Sequence, residues 1–205
     1  EHLGAGATIL GKAKYAHHAH YEQAFFSLST GFERAAKLAF VVDHALTNAG
    51  AFPSNEVVRG YGHNLARLLD QADAIAERRN LGARARLPRT GIHTGIVSAL
   101  TDFANNITRY YNLDFITGNP RVAQRDNPTK AWFQRVVTPV LQKHYGAKQQ
   151  ERHRRNGRAI AELTQPFTMV RHTAETGEEL ETVFDASLQT EVTEFAKPYV
   201  RMYVL

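Results

Sequence analysis

An all-α fold, a largely up-down helical bundle, is what this sequence predicts, on three observations. Apolar residues recur at intervals of three and four over several long stretches, the period of a helix with one buried face. Short alternating strands and a strand-flanked Asn-Gly hairpin are missing, and Asn156-Gly157 stands between basic residues instead. The 205 residues, 43% hydrophobic, suffice for one respectable core. The expected division is a bundle over residues 1–150, followed over 151–205 by a basic linker and a C-terminal helical extension packing on the same domain.

The elements follow in order. Tyr21, Phe25, Leu28, Phe32, Ala35, Ala39, Val42 and Leu46 mark one long amphipathic helix from Tyr15 to about Asn48. Gly31 costs it roughly 1 kcal/mol relative to Ala, so a bend is expected near Ser29-Thr30-Gly31, and Asn48-Ala49-Gly50 is a stop. Pro53-Ser54 opens a short helical piece broken at Gly60-Tyr61-Gly62. Leu65, Leu68, Leu69, Ala72, Ile75 and Ala76 then form a second helix, expected antiparallel to the first. The Arg-rich segment from Asn80 to Gly91 reads as a loop.

A third stripe runs from Ile92 through Ile96, Leu100, Phe103 and Ile107 to Phe115, ended by Gly118-Asn119-Pro120. Asn127-Pro128 starts a fourth helix, Asn as cap and Pro in the first turn, with Trp132, Val136, Val140 and Tyr145 along it and Pro139 as a kink. Gln165 to Gly177 shows no clear period. Leu180, Val183, Phe184, Leu188, Val192, Phe195 and Tyr199 give a last helix, while Tyr199 to Leu205 is open between helix and strand.

Composition removes several classes of function. Without cysteine there is no disulfide scaffold, thiol nucleophile or cysteine-based zinc site. No apolar run reaches 18 residues, and the opening EHLGAGATILGKAKYAHHAHYE has neither a cationic start nor a secretory apolar region. The expectation is a soluble, cytoplasmic protein with no membrane partner, its ends trimmed. The net charge of +5 is uneven. Lys143, Lys148, Arg152, Arg154, Arg155 and Arg158 face only Glu151, Arg78 to Arg89 holds five arginines and no acid, and Thr173 to Ala196 holds seven acids and no Lys or Arg. Such asymmetry suits a polyanionic partner or self-association.

His17, His18 and His20 with Glu22 invite a metal reading, but the Glu-x-x-His pattern of bundle metal sites is missing, so neither metal nor cofactor is expected. No Gly-x-Ser-x-Gly elbow, Walker loop or His-Glu-x-x-His occurs. Glu33 and Lys37 have the favourable order for an ion pair that supports the first helix. Arg84, Arg89, Arg152, Arg154, Arg155 and Arg158 are candidate phosphate contacts, because a guanidinium is always charged and binds phosphate bidentately. Arg with His remains as a catalytic combination: histidine moves protons at the 2′-hydroxyl or leaving oxygen of RNA, and arginine stabilises the phosphorane.

The order FERAAKLAFVVDHAL, then YGHNLARLLDQA, then ITRYYNLDFITG resembles the HEPN superfamily (higher eukaryotes and prokaryotes nucleotide-binding domains) over about residues 15–118. Ala35-Ala36-Lys37, Gly62-His63-Asn64-Leu65 and Thr108-Arg109-Tyr110 carry the likeness. The resemblance implies a bundle that dimerises and acts on or binds RNA or a nucleotide in a bacterial defence-like or toxin–antitoxin context. It also implies, for catalytic members, a metal-independent endoribonuclease in which Arg and His separated by four to six residues meet at the dimer interface. Arg59 and His63 are separated by three, with Gly60 and Gly62 between; Arg86 and His93 are separated by six, with Pro88 and Gly91 between. On this reading His63 or His93 transfers the proton and Arg59, Arg86 or Arg109 stabilises the phosphate. The alternative is a non-catalytic binding or assembly module, in which His63 caps a helix, Arg109 makes a buried structural contact and the Arg-rich segments dock an acidic protein or nucleic acid.

Overall fold

The computed structural model describes residues 1–105, 109–119 and 127–205, with the backbone alone at Asn112. Its longest element is α2 (Ala19–Thr47), which buries Tyr21, Ala24, Phe25, Leu28 and Phe40 along one face. The helix stops where expected: Ala49 and Gly50 take φ of 51° and 90°, and the Gly50 N–H donates to the Ala45 carbonyl at 2.8 Å. A helix that the sequence pattern does not announce, α1 (His2–Leu10), packs across it. Gly31 is the reason for that approach rather than a bend. The helix continues through it, and a Cβ there would sit 2.8 Å from Leu3 Cδ2, as one at Gly6 would sit 2.7 Å from Leu28 Cγ.

Next come α3 (Asn55–Gly60), capped by Ser54, and α4 (Leu65–Arg78), capped by the Asn64 side chain accepting from the Arg67 N–H at 3.0 Å. Gly62 turns the chain between them at φ +71°. The antiparallel expectation for α4 is corrected. Glu33 meets His63 just before α4, whereas Asp43 and Thr47 meet Arg78 and Arg79 at its end, so α4 advances in the same direction as the second half of α2. The return path is the segment of residues 48–64 that contains α3, long enough to carry the chain back.

The third stripe is divided. α5 (Gly91–Ala104) ends at Asn105, and α6 (Tyr111–Ile116) is a separate short helix with Leu113, Phe115 and Ile116 exposed. Ile107 and Thr108 lie outside the described residues, as does Pro120. α7 (Pro128–Trp132) begins at the expected cap, Asn127 Oδ1 accepting from the Thr129 and Lys130 N–H groups. A single π-helical turn, Phe133–Val137, then joins it to α8 (Thr138–His144).

The basic run expected as a linker is helical: α9 (Ala147–Thr164) spans it, and residues 150 and 151 lie inside this helix. Its Ala, Lys, Gln, Glu and Arg residues are good helix formers. Buried His153, Gly157 and Ala161, spaced by four, seat it on α10 (Val183–Val204), where a Cβ at Gly157 would touch the Phe184 ring at 3.3 Å. Between them β1 (His172–Thr173) pairs antiparallel with β2 (Glu179–Leu180), His172 opposite Leu180. Leu180 thus belongs to a strand, and the β-branched end of the chain is helix because Ala196, Val200 and Val204 join the core at helical spacing.

The fold is an all-α bundle with this small hairpin as its only sheet among the described residues. Trp132, 1% exposed, stands with its ring 5.0 Å from that of Phe25, which in turn lies 5.8 Å from Phe103, so α2, α5 and α7 share one core. No helix among the described residues is long and apolar enough to cross a membrane.

Candidate functional site

The two basic runs have different fates. In the first, Arg86 grips Asp73 bidentately, Nε to Oδ1 at 2.8 Å and Nη2 to Oδ2 at 3.1 Å, and also reaches Glu77. Arg89 bridges Asp70 at 2.6 Å and Asp73 at 3.0 Å. The Leu87 N–H is a third donor to Asp73. The Arg86 guanidinium, then the Leu87 N–H and then Arg89 hold this carboxyl far below the usual carboxylate range. Arg78 and Arg79 are taken by Asp43. Of the five arginines, Arg84 alone faces no acid among the described residues.

Asp73 is the residue that orders this loop, and it was not among the residues selected from the sequence. Its signal is there: it lies four positions after Leu69 and three before Ala76, an acid on the apolar stripe of α4, 6% exposed. A carboxylate at such a position needs partners, and an arginine-rich loop follows.

The Arg and His residues selected for catalysis sit in separate surroundings. His63 precedes the capping Asn64, so Asn64 and not His63 caps α4; the His63 ring is exposed and lies 3.0 Å from Glu33 Oε1, which also accepts from Lys37 at 2.8 Å. Burial raises the Glu33 carboxyl, but the bonds from Lys37 and His63 outweigh it and the net shift is downward. Arg59 is exposed on α3. Arg109 places its guanidinium over the rings of Phe26 and Phe103, 5.3 and 5.5 Å away, its buried Nε without a hydrogen-bond partner among the described residues. Arg86 is committed to Asp73. His93, in the first turn of α5, lies 2.7 Å from Thr90 Oγ1 through Nδ1. Burial, then the nearby Lys143 charge, lower its pKa. Arg89 and His93 are the two selected residues that line one cavity together.

The second basic run is unpaired. Lys148, Arg152, Arg154, Arg155 and Arg158 are all exposed on α9, and none has a carboxylate partner among the described residues. Helical geometry puts Lys148, Arg152 and Arg155 on the side opposite His153, Gly157 and Ala161, which face α10, with Arg154 and Arg158 at its flanks. Glu191 of α10, which reaches α9, is occupied by Asn156 at 3.2 Å and by His153 at 3.5 Å. Beside this face lies an open depression of about 520 Å³ lined by Arg158, Glu162, Gln165, Pro166 and Phe184. Among the described residues no group of His, Asp and Glu is arranged to hold a metal ion. His20 instead lies 3.3 Å from the Lys12 carbonyl through Nδ1, and His17 packs its ring on His20.

The class defined so far is an all-α bundle with a free cationic helix face. Comparison with protein families, with curated proteins and with solved structures finds no match.

Proposed function

We propose that this chain is a helical RNA-binding module that grips the phosphate backbone along α9, without cleaving it. The observation that carries the reading is the contrast between the two basic runs. Arg78, Arg79, Arg86 and Arg89 spend their charge on Asp43, Asp70 and Asp73, whereas five exposed cations of α9 form no ion pair among the described residues, although Glu151 and Glu162 share the helix. Guanidinium groups in a row on one helix face suit successive phosphates, and they read no sequence. The motif order that resembles HEPN proteins supports an RNA ligand and a homodimer, in which two α9 faces would double the contact.

The test is the salt dependence of binding to a labelled 20-nucleotide oligouridylate in EDTA. Five phosphate contacts predict a slope of log affinity against log salt of about −3.5, and Arg152→Gln with Arg155→Gln lowers its magnitude by about 1.4. Arg78→Gln leaves the slope unchanged. Failure to bind, or a slope that ignores the α9 substitutions, overturns the proposal. One observation favours a second reading, an endoribonuclease: His93 and Arg89 share a cavity. In the same EDTA mixture, cleavage by the parent that is lost in His93→Ala decides for the nuclease.

A further inference from the structure

A cavity of about 530 Å³ lies between α2, α4, α5 and the last turn of α10. Its size is that of a small-molecule site. Phe32, Leu69, Leu87, Ile96, Val97 and Leu205 make it mostly apolar.

Its polar lining is nearly all satisfied from within. Arg89 is held by Asp70 and Asp73, and Asp102 accepts from Arg135 at 2.6 Å, as does Ser98 at 3.1 Å. Thr101 donates to the Val97 carbonyl and accepts from the Ala66 N–H, while Thr94 donates to the Thr90 carbonyl. The exception is one corner. His93 uses Nδ1 toward Thr90, leaving Nε2 without a hydrogen bond among the described residues. The Tyr203 ring meets the His93 ring edge-on at 5.3 Å. Tyr203 Oη accepts from Lys143 Nζ at 2.8 Å and lies 3.1 Å from His144 Nε2. An ammonium can only donate, so the phenol is left to donate in turn, to His144 Nε2 or to a ligand acceptor that takes its place. Lys143 is exposed and has no carboxylate among the described residues.

We propose that this cavity binds a small apolar carboxylic acid, its hydrocarbon body against Ile96, Val97 and Leu205 and its carboxylate at the His93–Tyr203 corner beside Lys143. Asp70 and Asp102 do not oppose the ligand charge, since Arg89 and Arg135 neutralise them. An amine of the same shape meets Lys143 with like charge, and an alcohol gains no ion attraction. This site stands apart from the cationic face. Phe184 touches Gly157 near one end of α10 and Tyr203 lines the cavity near the other, about 28 Å away at the rise of a helix.

The experiment titrates the full chain with decanoate, decanol and decylamine by calorimetry, while the methyl resonances of Ile96, Val97 and Leu205 are followed. Decanoate is expected to bind one to one, at least about tenfold tighter than decylamine, and to shift those methyls. Lys143→Gln brings decanoate to the affinity of decanol. Ala66→Phe fills the cavity and abolishes binding; if that variant does not fold, His93→Phe keeps the wall apolar and loses the preference for the acid. Decylamine binding as tightly as decanoate, no saturable binding, or unmoved methyl resonances overturns the assignment.

Discussion

Asp73 shows how one carboxylate decides what the arginines around it can do. Two guanidinium groups and a backbone N–H converge on it, so Arg86 and Arg89 serve the loop that closes over α4 before they serve any ligand. The bonds from Arg86, Leu87 and Arg89 depress its pKa in the folded chain. A depressed carboxylate contributes stability that is present above its unfolded value near 3.9 and is lost as pH falls toward the folded one. Asp73→Asn is therefore expected to lower the melting temperature at pH 7, and the gap from the parent should narrow steadily as pH drops below about 4. A gap that stays constant from pH 7 to pH 2 would count against the ion pairs as its source. Lysines in place of Arg86 and Arg89 would not restore the bidentate geometry.

At the scale of elements, the π-helical turn before α8 has a local cause and a distant accommodation. Pro139 has no N–H to give the Arg135 carbonyl, its partner in a regular α-helix. That carbonyl lies against Gly95 of α5 so closely that any Cβ there collides with it. Alanine is better than glycine in a helix by about 1 kcal/mol, so propensity alone predicts that Gly95→Ala stabilises α5. The contact predicts the reverse sign, a loss of about 1–3 kcal/mol, to be read from urea unfolding; a variant more stable than the parent refutes the contact. The Asn127 start and the stop at Gly50 were legible in the sequence, whereas the cap of α4 falls on Asn64 and not on His63. The π turn and its glycine partner were not legible, because they depend on a residue 40 or so positions away. For the same reason the direction of α4 was read wrongly: periodicity shows a buried face, not which way a helix runs after a loop that can return. The α9 arginines stood out as a charge run, but their freedom could be judged only once Asp43, Asp70 and Asp73 were seen to neutralise the other run. Tyr203 gave no sequence signal, and Lys143 only one as a member of the basic run, because they come near His93 only in the folded bundle.

At the scale of the whole molecule, Glu175 ties the two ends of the chain together. It is 1% exposed, just after β1, and accepts from Tyr21 Oη of α2 at 3.2 Å, Gln189 Nε2 of α10 at 2.6 Å and Thr193 Oγ1 of α10 at 3.3 Å. Removing it leaves three donors inside the fold, so Glu175→Ala is expected to cost about 3 kcal/mol or more, with Glu175→Gln milder. Tyr21 adds a pH signature. Burial, then the charge and hydrogen bond of Glu175, raise its phenol well above the ordinary tyrosine value. In the unfolded chain the same phenol ionises near pH 10. Its contribution is fully present below that pH and is lost as pH rises toward the folded pKa, because only the unfolded form releases the proton. Tyr21→Phe loses the bond to Glu175 and should be less stable than the parent at pH 7. Above pH 10 the parent alone keeps losing stability through this group, so the difference between the two should shrink and then reverse. Denaturant unfolding of both proteins from pH 7 to pH 11 measures it; parallel pH curves would show that Tyr21 is not the group that joins α2 to the hairpin and α10.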